Sequence, residues 1–351
     1  MNLKRLNALR ANLRSPILIK KKENLLYLTG RSFMHGYLLV KPKGADKRGV
    51  VFFGDGLEKP PGLPADRLKN LPLYLTKARL LNLEDQFTFA EYNYIKAKRD
   101  ELNARFKISH VRSPVDYQRI IKEPGELMLV KKSMQIVERV FKLVRREIKK
   151  SGMTEIRLAK FIQDQGLRLG AQDVSFPAIV ASGANAAIPH HVPGNKKLKA
   201  GESIILDFGF KHKNYCSDFT RTVFLKAAPK KIAESYNQVE QAYLQSINFA
   251  QAGAKAGGVY QKSVDVLAEK KLDKYFIHSL GHGTGLEIHE LPNLSPLSKD
   301  VLQNGMVFSV EPGVYIPKLG GVRIEDLVYL QQGRAAKFIN VSTRLEQNII
   351  K

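Results

Sequence analysis

Four acidic residues stand at positions where a β-strand has little use for a charge. Asp207 closes the apolar run Ser203-Ile-Ile-Leu, and Asp218 opens the run Phe-Thr-Arg-Thr-Val-Phe. A polar stretch, residues 211–214, lies between them, and a hairpin centred there pairs Phe210 with Tyr215 and Asp207 with Asp218. Opposed residues on paired strands bring their Cβ atoms to about 5 Å, where like charges repel. Either one carboxyl keeps a proton or a positive charge sits between them. A divalent cation is the economical answer. Glu311 and Glu325 repeat the pattern on the two sides of a turn at residues 317–321, and centring that hairpin on Lys318 opposes the two glutamates. The plain alternative is a pair of exposed edge strands with scattered acids, but these acids lie inside apolar runs.

Imidazoles accompany the acids. His282 stands between Gly281 and Gly283 in the run His278-Ser-Leu-Gly-His-Gly-Thr-Gly-Leu-Glu-Ile-His289. Glycine on both sides allows backbone to approach a site closely, and an imidazole completes a mixed oxygen and nitrogen donor set. His190 and His191 follow Ile188-Pro189 in a stretch rich in Gly, Asn and Pro. From chemistry alone that pair is open to three readings: metal ligand, substrate contact or surface loop.

The elements that must carry these residues are legible in outline. The chain has 351 residues, 44% hydrophobic and 26% charged, which is ordinary for a globular protein and long enough for two domains. Leu25–Leu28, Tyr37–Val40 and Val50–Phe53 read as strands, with turn signals at Thr29-Gly30 and residues 54–56, a loop at residues 59–62, and a helix over residues 89–106. Near Ile121 the texture changes. Pro124 opens a long amphipathic helix over residues 126–149, with Leu129, Ser133, Val137, Val140 and Val144 on one face, and Thr154 caps a second helix running to Gly170. Two more helical patterns cover residues 229–254 and 259–272. The fold class read from this is α+β, with an N-terminal α/β domain over residues 1–122 and a second domain over 123–351.

A single cysteine excludes an intramolecular disulfide and a cysteine-rich zinc site. No apolar run approaches the 18 residues of a transmembrane helix, and the first 22 residues offer no secretory core, so a cytoplasmic protein without membrane contact is expected. The formal net charge of +24 attracts acidic partners, yet no recognisable nucleic-acid-binding motif accompanies it, and nucleic acid is not expected as the main partner.

Five strings, taken in order, resemble the pita-bread metallopeptidases, in the prolidase and Xaa-Pro aminopeptidase branch. They are Asp207, Asp218-Phe-Thr-Arg-Thr, Gly281-His-Gly-Thr-Gly-Leu-Glu-Ile-His289, Glu311-Pro-Gly-Val-Tyr and Val322-Arg-Ile-Glu325-Asp. The likeness covers roughly residues 124–351, and Leu26-Tyr-Leu-Thr-Gly30 with Gly36-Tyr-Leu-Leu-Val40 adds a creatinase-type N-terminal domain. The resemblance implies a dinuclear centre held by Asp207, Asp218, His282, Glu311 and Glu325, with Asp218 and Glu325 bridging. It implies two divalent ions, Mn²⁺ first among Mn²⁺, Co²⁺, Zn²⁺ and Fe²⁺, although donor type alone does not choose. Glu311 relays a proton, His190 and His289 act on the substrate, and Arg323 faces its carboxyl side. Thr220 and Tyr215 orient ligands, and Cys216 packs. The implied activity is hydrolysis of the Xaa-Pro bond in proline-containing peptides by a homodimer. The alternative is a non-catalytic binding protein on the same fold, using its basic surface.

Overall fold

The apolar runs Tyr37–Val40 and Val50–Phe53, with valines and aromatics, fold as strands, as their composition predicts. The computed structural model describes residues 2–45, 49–54, 56 and 60–351; the readings at Asp55 and Lys59 fall outside them. The chain divides into two compact units, Met1–Arg119 and Ile120–Lys351. The first holds strands β1 (Ile17–Ile19), β2 (Tyr37–Val40), β3 (Val50–Phe53), β4 (Ala65–Asp66), β5 (Leu80–Glu84) and β6 (Lys107–Val111), ordered β4-β3-β2-β1-β5-β6. Helices α1 (Leu3–Asn12), α2 (Lys22–Thr29), α3 (Phe89–Glu101) and α4 (Pro114–Arg119) accompany this mixed sheet.

Helix α2 corrects one expectation, since it contains Leu25–Leu28, read from sequence as a strand. Leu25 and Leu28 stand three apart and are both buried, on one helical face. The Glu84 carboxylate on β5 accepts the Lys20 and Lys21 amides at 2.7 and 2.8 Å just ahead of the helix. Gly30, at φ 77°, ends it by donating to the Leu26 carbonyl.

The second unit opens on α5 (Pro124–Glu147), with proline in its first turn, and α6 (Glu155–Arg168), whose Thr154 hydroxyl accepts the Arg157 amide. Helices α7 (Lys230–Phe249) and α8 (Ala256–Ala268) bury Tyr236, Val239, Tyr243, Val259 and Val266 against Phe224, Phe308 and Val328 of a sheet. Its strands are β8 (Ile179–Ser182), β9 (Ser203–Asp207), β12 (Phe219–Leu225), β13 (Gly281–Gly283), β14 (Glu290–Leu294), β15 (Val307–Val310) and β18 (Glu325–Gln331). They run in the order β14-β13-β15-β18-β12-β9-β8, with β19 (Arg334–Lys337) beside β18. Strands β7 (Asp173–Val174), β10 (Phe210–His212) and β11 (Tyr215–Cys216) form a small sheet, and β16 (Gly313–Ile316) pairs with β17 (Gly320–Arg323). No helix among the described residues is long and apolar enough to cross a membrane.

The registers place the acids. In the second hairpin Gly313 faces Arg323 and Val310 faces Asp326, one register throughout, which leaves Glu311 opposite Glu325 across the break between ladders. The first hairpin is shifted. His212 faces Tyr215 and Asp207 faces Thr220, so Asp207 and Asp218 are not directly opposed. The chain turns on two residues, Lys213 and Asn214, both at positive φ (48° and 69°), the tight turn whose twist suits a hairpin. The four-residue turn read from sequence therefore misses by two positions, which in a strand preserves the face.

Behind this face the sheet is tied by charge. Arg221 of β12 is wholly buried; its Nη2 reaches both Asp326 carboxylate oxygens at 2.9 Å, and its Nη1 reaches the carbonyls of Thr220 and Glu325 at 2.8 and 2.6 Å. The Tyr243 hydroxyl of α7 donates to the same carboxylate. Removing one partner of such a pair leaves an uncompensated buried charge, so Arg221→Met should lower the unfolding free energy of this unit by about 3–5 kcal/mol. Urea unfolding of the variant checks this, and a loss below about 1 kcal/mol would show the pair dispensable.

Candidate metal centre

Each acid reaches one cleft from a strand end. Asp207 is the last residue of β9, Asp218 immediately precedes β12, Glu311 follows β15 and Glu325 begins β18. His282 is the middle residue of β13. A Cβ at Gly281 would lie 2.1 Å from the Ser309 carbonyl oxygen, and one at Gly283 equally close to that of Leu291. Glycine on both sides of His282 is thus demanded by neighbouring backbone. His190, His289 and Arg323 line the same cleft, of about 600 Å³, so the structure brings together all eight residues expected as metal ligands or substrate contacts.

Three donors group most tightly: ligand atoms of Asp218, His282 and Glu325 lie within 4.8 Å of one another. His282 Nε2 is 3.5 Å from Asp218 Oδ2 and 3.4 Å from Glu311 Oε1. Its Nδ1 lies 3.1 Å from the Gly283 carbonyl, which can only accept, so the hydrogen belongs on Nδ1 and the Nε2 lone pair faces the acids. Thr220 donates to Glu325 Oε2 at 2.6 Å, Ser309 to Glu311 Oε1 at 3.0 Å, and Arg323 Nη2 to Asp207 Oδ2 at 2.5 Å.

The electrostatics follow from crowding. Burial, then the charges of Asp207 and Glu311, push the Asp218 carboxyl well above its ordinary range. Burial, then Asp218, Glu311 and Asp207, do the same to Glu325. Burial also raises Asp207 despite Arg323, and pushes Glu311 up to about 7. His282 is pushed the other way, down to about 4, by burial and by His289, whose ring centre is 4.3 Å away. Burial lowers the Arg323 value, but Tyr315, Asp207 and Glu311 more than restore it and hold it well above the ordinary one.

Donor chemistry fits divalent cations. Four carboxylates and an imidazole lone pair converge, and Asp207 Oδ1 is buried without a hydrogen-bond partner. A buried oxygen left unpaired costs free energy that a cation removes. Outer contacts mostly agree with the sequence reading. Thr220 supports Glu325, and Cys216 is buried with its thiol pushed up to about 12 by burial, an inert packing group. Tyr215 departs from it: its hydroxyl donates to Glu126 of α5 at 2.6 Å, not to a cleft carboxylate.

Two cleft residues escaped the sequence reading. Arg323 Nη1 donates to the Tyr315 hydroxyl at 2.7 Å, and that hydroxyl lies 2.9 Å from His278 Nε2. His278 Nδ1 faces the Ser279 carbonyl at 2.7 Å, so Nε2 accepts from Tyr315. Both residues lie in strings already quoted, four positions from His282 and Glu311 respectively, but their meeting across elements has no local signal.

Comparison with known proteins agrees with this geometry. Residues 128–332 match the model of metallopeptidase family M24. A putative Xaa-Pro aminopeptidase of Mycoplasma pneumoniae is 34% identical, covering 93% of each chain. An Xaa-Pro dipeptidase of Pyrococcus horikoshii is 30% identical, covering 95% of this chain and 94% of its own. The solved structure of an Xaa-Pro dipeptidase from Bacillus anthracis superposes with a TM-score of 0.88 at 30% identity, over 97% of this chain and 98% of the other. The α+β, pita-bread fold expected from the five strings is therefore the fold found, and the chain belongs to metallopeptidase family M24.

Proposed function

We propose that the chain hydrolyses the peptide bond between a residue and a following proline, with Asp207, Asp218, His282, Glu311 and Glu325 holding two divalent ions. The observation that carries the reading is the convergence of four carboxylates and one Nε2 lone pair in a single cleft. The names of its relatives supply the bond. When bound, such ions lower the pKa of a water and polarise the scissile carbonyl. Glu311, whose carboxyl burial pushes up to about 7 in the metal-free cleft, is the carboxylate placed to take and return a proton. His190 and His289 are exposed along the cleft and available to the peptide. Phe176, Pro177, Ile179, Val192 and Pro193 form an apolar wall, which suits a proline ring and asks for no N–H that proline lacks. Mn²⁺ is the ion to test first, and a cytoplasmic homodimer completes the reading. Nothing in the cleft favours a non-catalytic binding protein, for which four crowded acids would be costly.

Substrate length follows from charge. A dipeptide carries a carboxylate directly on its proline. Among the described residues Arg323 is the only Lys or Arg lining the cleft, and its guanidinium is engaged by Asp207, Tyr315, Thr220 and the Pro189 carbonyl. Xaa-Pro-Yaa peptides and Xaa-Pro amides should therefore exceed the free dipeptide by about 10-fold or more in kcat/KM, as a charge left unpaired costs about 1.4 kcal/mol. A free dipeptide cleaved faster than its amide would mark a dipeptidase instead.

Asp218→Ala and Glu325→Ala should lose metal and turnover together, read as metal retained after dialysis and as peptide cleavage. Thr220→Val, which removes the Glu325 hydrogen bond, should weaken metal affinity by about 10–100-fold. Full activity in either alanine variant would remove the dinuclear assignment.

Metal binding should also depend on pH in a fixed direction. The Glu311 folded value, about 7, lies above that of an exposed glutamate, so its contribution favours the metal-free fold at low pH and is lost as pH rises through about 7. Ligation needs that proton gone, whereas His282, at about 4, is already neutral. Mn²⁺ should bind more weakly and release more protons at pH 6 than at pH 8, measured by calorimetry in buffers of different ionisation heat. Equal release at both would contradict the raised carboxyls.

A further inference from the structure

Glu155 opens α6 with its carboxylate fully buried, and it is occupied by one stretch of chain, residues 182–194. Oε1 accepts from the Ser182 amide at 2.8 Å and the Ser182 hydroxyl at 2.7 Å. Oε2 meets His191 Nε2 at 2.9 Å and the Gly194 amide at 3.3 Å, and Asn185 Nδ2 is 3.1 Å from both oxygens. Backbone bonds tighten the junction: the amides of Glu155 and Ile156, which the helix itself cannot satisfy, donate to the carbonyls of Lys196 and Gly194 at 3.1 and 2.9 Å.

The helix does not need this carboxylate as its cap. Thr154 already supplies one, through the Arg157 amide. What Glu155 holds is a stretch with one short 3-10 turn, Gly183–Ala187, and otherwise little regular structure. His190 sits in that stretch, with Asn185 before it and His191 after it bound to the one carboxylate, while its own ring is exposed along the cleft. The preceding carbonyl, Pro189, accepts from Arg323 Nη1 at 3.4 Å, and Arg323 also grips Asp207. Burial pushes Glu155 up, but His191, Ser182 and Asn185 outweigh it and hold the group below its ordinary value, as an ionised acceptor. A carboxylate only accepts, and every group converging on it can donate.

We propose that Glu155 is a positioning residue that sets His190 at the cleft by clamping residues 182–194 on both sides. This rests on the reading that His190 meets the substrate. Glu155→Gln keeps the shape but turns an amide NH₂ toward groups that donate. With Mn²⁺ and an Xaa-Pro-Yaa peptide, it should lose about 10–100-fold in kcat/KM, mainly in kcat, as expected of a reacting geometry displaced by about 1 Å. In a His190→Ala background the same change should cost less than about 2-fold, because the residue it positions is gone. No loss, or the same loss in both backgrounds, would overturn the proposal. Asn185→Ala, which removes one donor and lies outside the cleft lining, should show the same coupling at smaller size and serves if Glu155→Gln does not fold. An independent reading needs no turnover: the His190 ring-proton resonance, assigned through His190→Ala, should shift or broaden in metal-free Glu155→Gln, and an unchanged resonance overturns the clamp. A parent protein that cleaves no Xaa-Pro peptide with any divalent ion would defeat the peptidase reading, while the resonance still decides the clamp.

Discussion

Four carboxylates that repel one another and a single arginine that offsets them set the terms for the rest of this unit. Asp207, Asp218 and Glu325 are buried, Glu311 nearly so, and among the described lining residues only Arg323 carries a fixed positive charge against them. Left to relax, such a group would spread apart or take up protons; burial raises all four carboxyls, and neighbouring acids add to it at Asp218, Glu311 and Glu325. Holding them in reach of a common cation requires backbone that cannot yield. That explains why every acid is at or beside the end of a paired strand and none lies out in a loop.

The restraint lies on the reverse side of the same strands. Thr220 and Glu325 face each other across β12 and β18, and the next pair is Phe219 with Asp326. Neighbouring residues in a strand point to opposite faces, so Glu325 meets Thr220 on the cleft side while Asp326 meets Arg221 behind it. The ladder joining these strands is short, two pairs, and Arg221 reinforces it by binding carbonyls of both, those of Thr220 and Glu325. One buried ion pair thus fixes the spacing of the strands that carry the unpaired acids. The two arginines divide the work: Arg221 holds backbone, and Arg323 holds charge.

What could be read in advance divides along physical lines. The register centred on Lys318 was legible because apolar runs of matched length flank a turn, and it holds through both ladders. The turn near residues 211–214 was misplaced because Lys213 and Asn214 adopt positive φ without a glycine to announce it. The error did no harm to the site, since a shift of two keeps the face. Leu25–Leu28 misled for a different reason: four apolar residues carry no period, and the helix there begins just after Glu84, some sixty residues away, accepts the Lys20 and Lys21 amides. The metal-type donors were legible because charge inside an apolar run is conspicuous. Tyr315, His278 and Glu155 were not, because each owes its role to a partner brought near only by the fold.

His190 and His289 are held by a different principle from the acids. His190 and His289 are exposed and lie outside the named strands, where a ring has room to meet a peptide. In both cases the next residue along the chain is the one tied down. His191 binds Glu155 at 2.9 Å, and Glu290 binds Lys122 at 3.0 Å with both side chains almost wholly buried. Anchoring the neighbour restrains the backbone beside each histidine while leaving both ring nitrogens uncommitted by that anchor. A direct bond to the histidine would restrain it too, but would occupy a ring nitrogen. Strand ends suit groups that must hold still against repulsion, and anchored loops suit groups that must hold still yet remain open to contact.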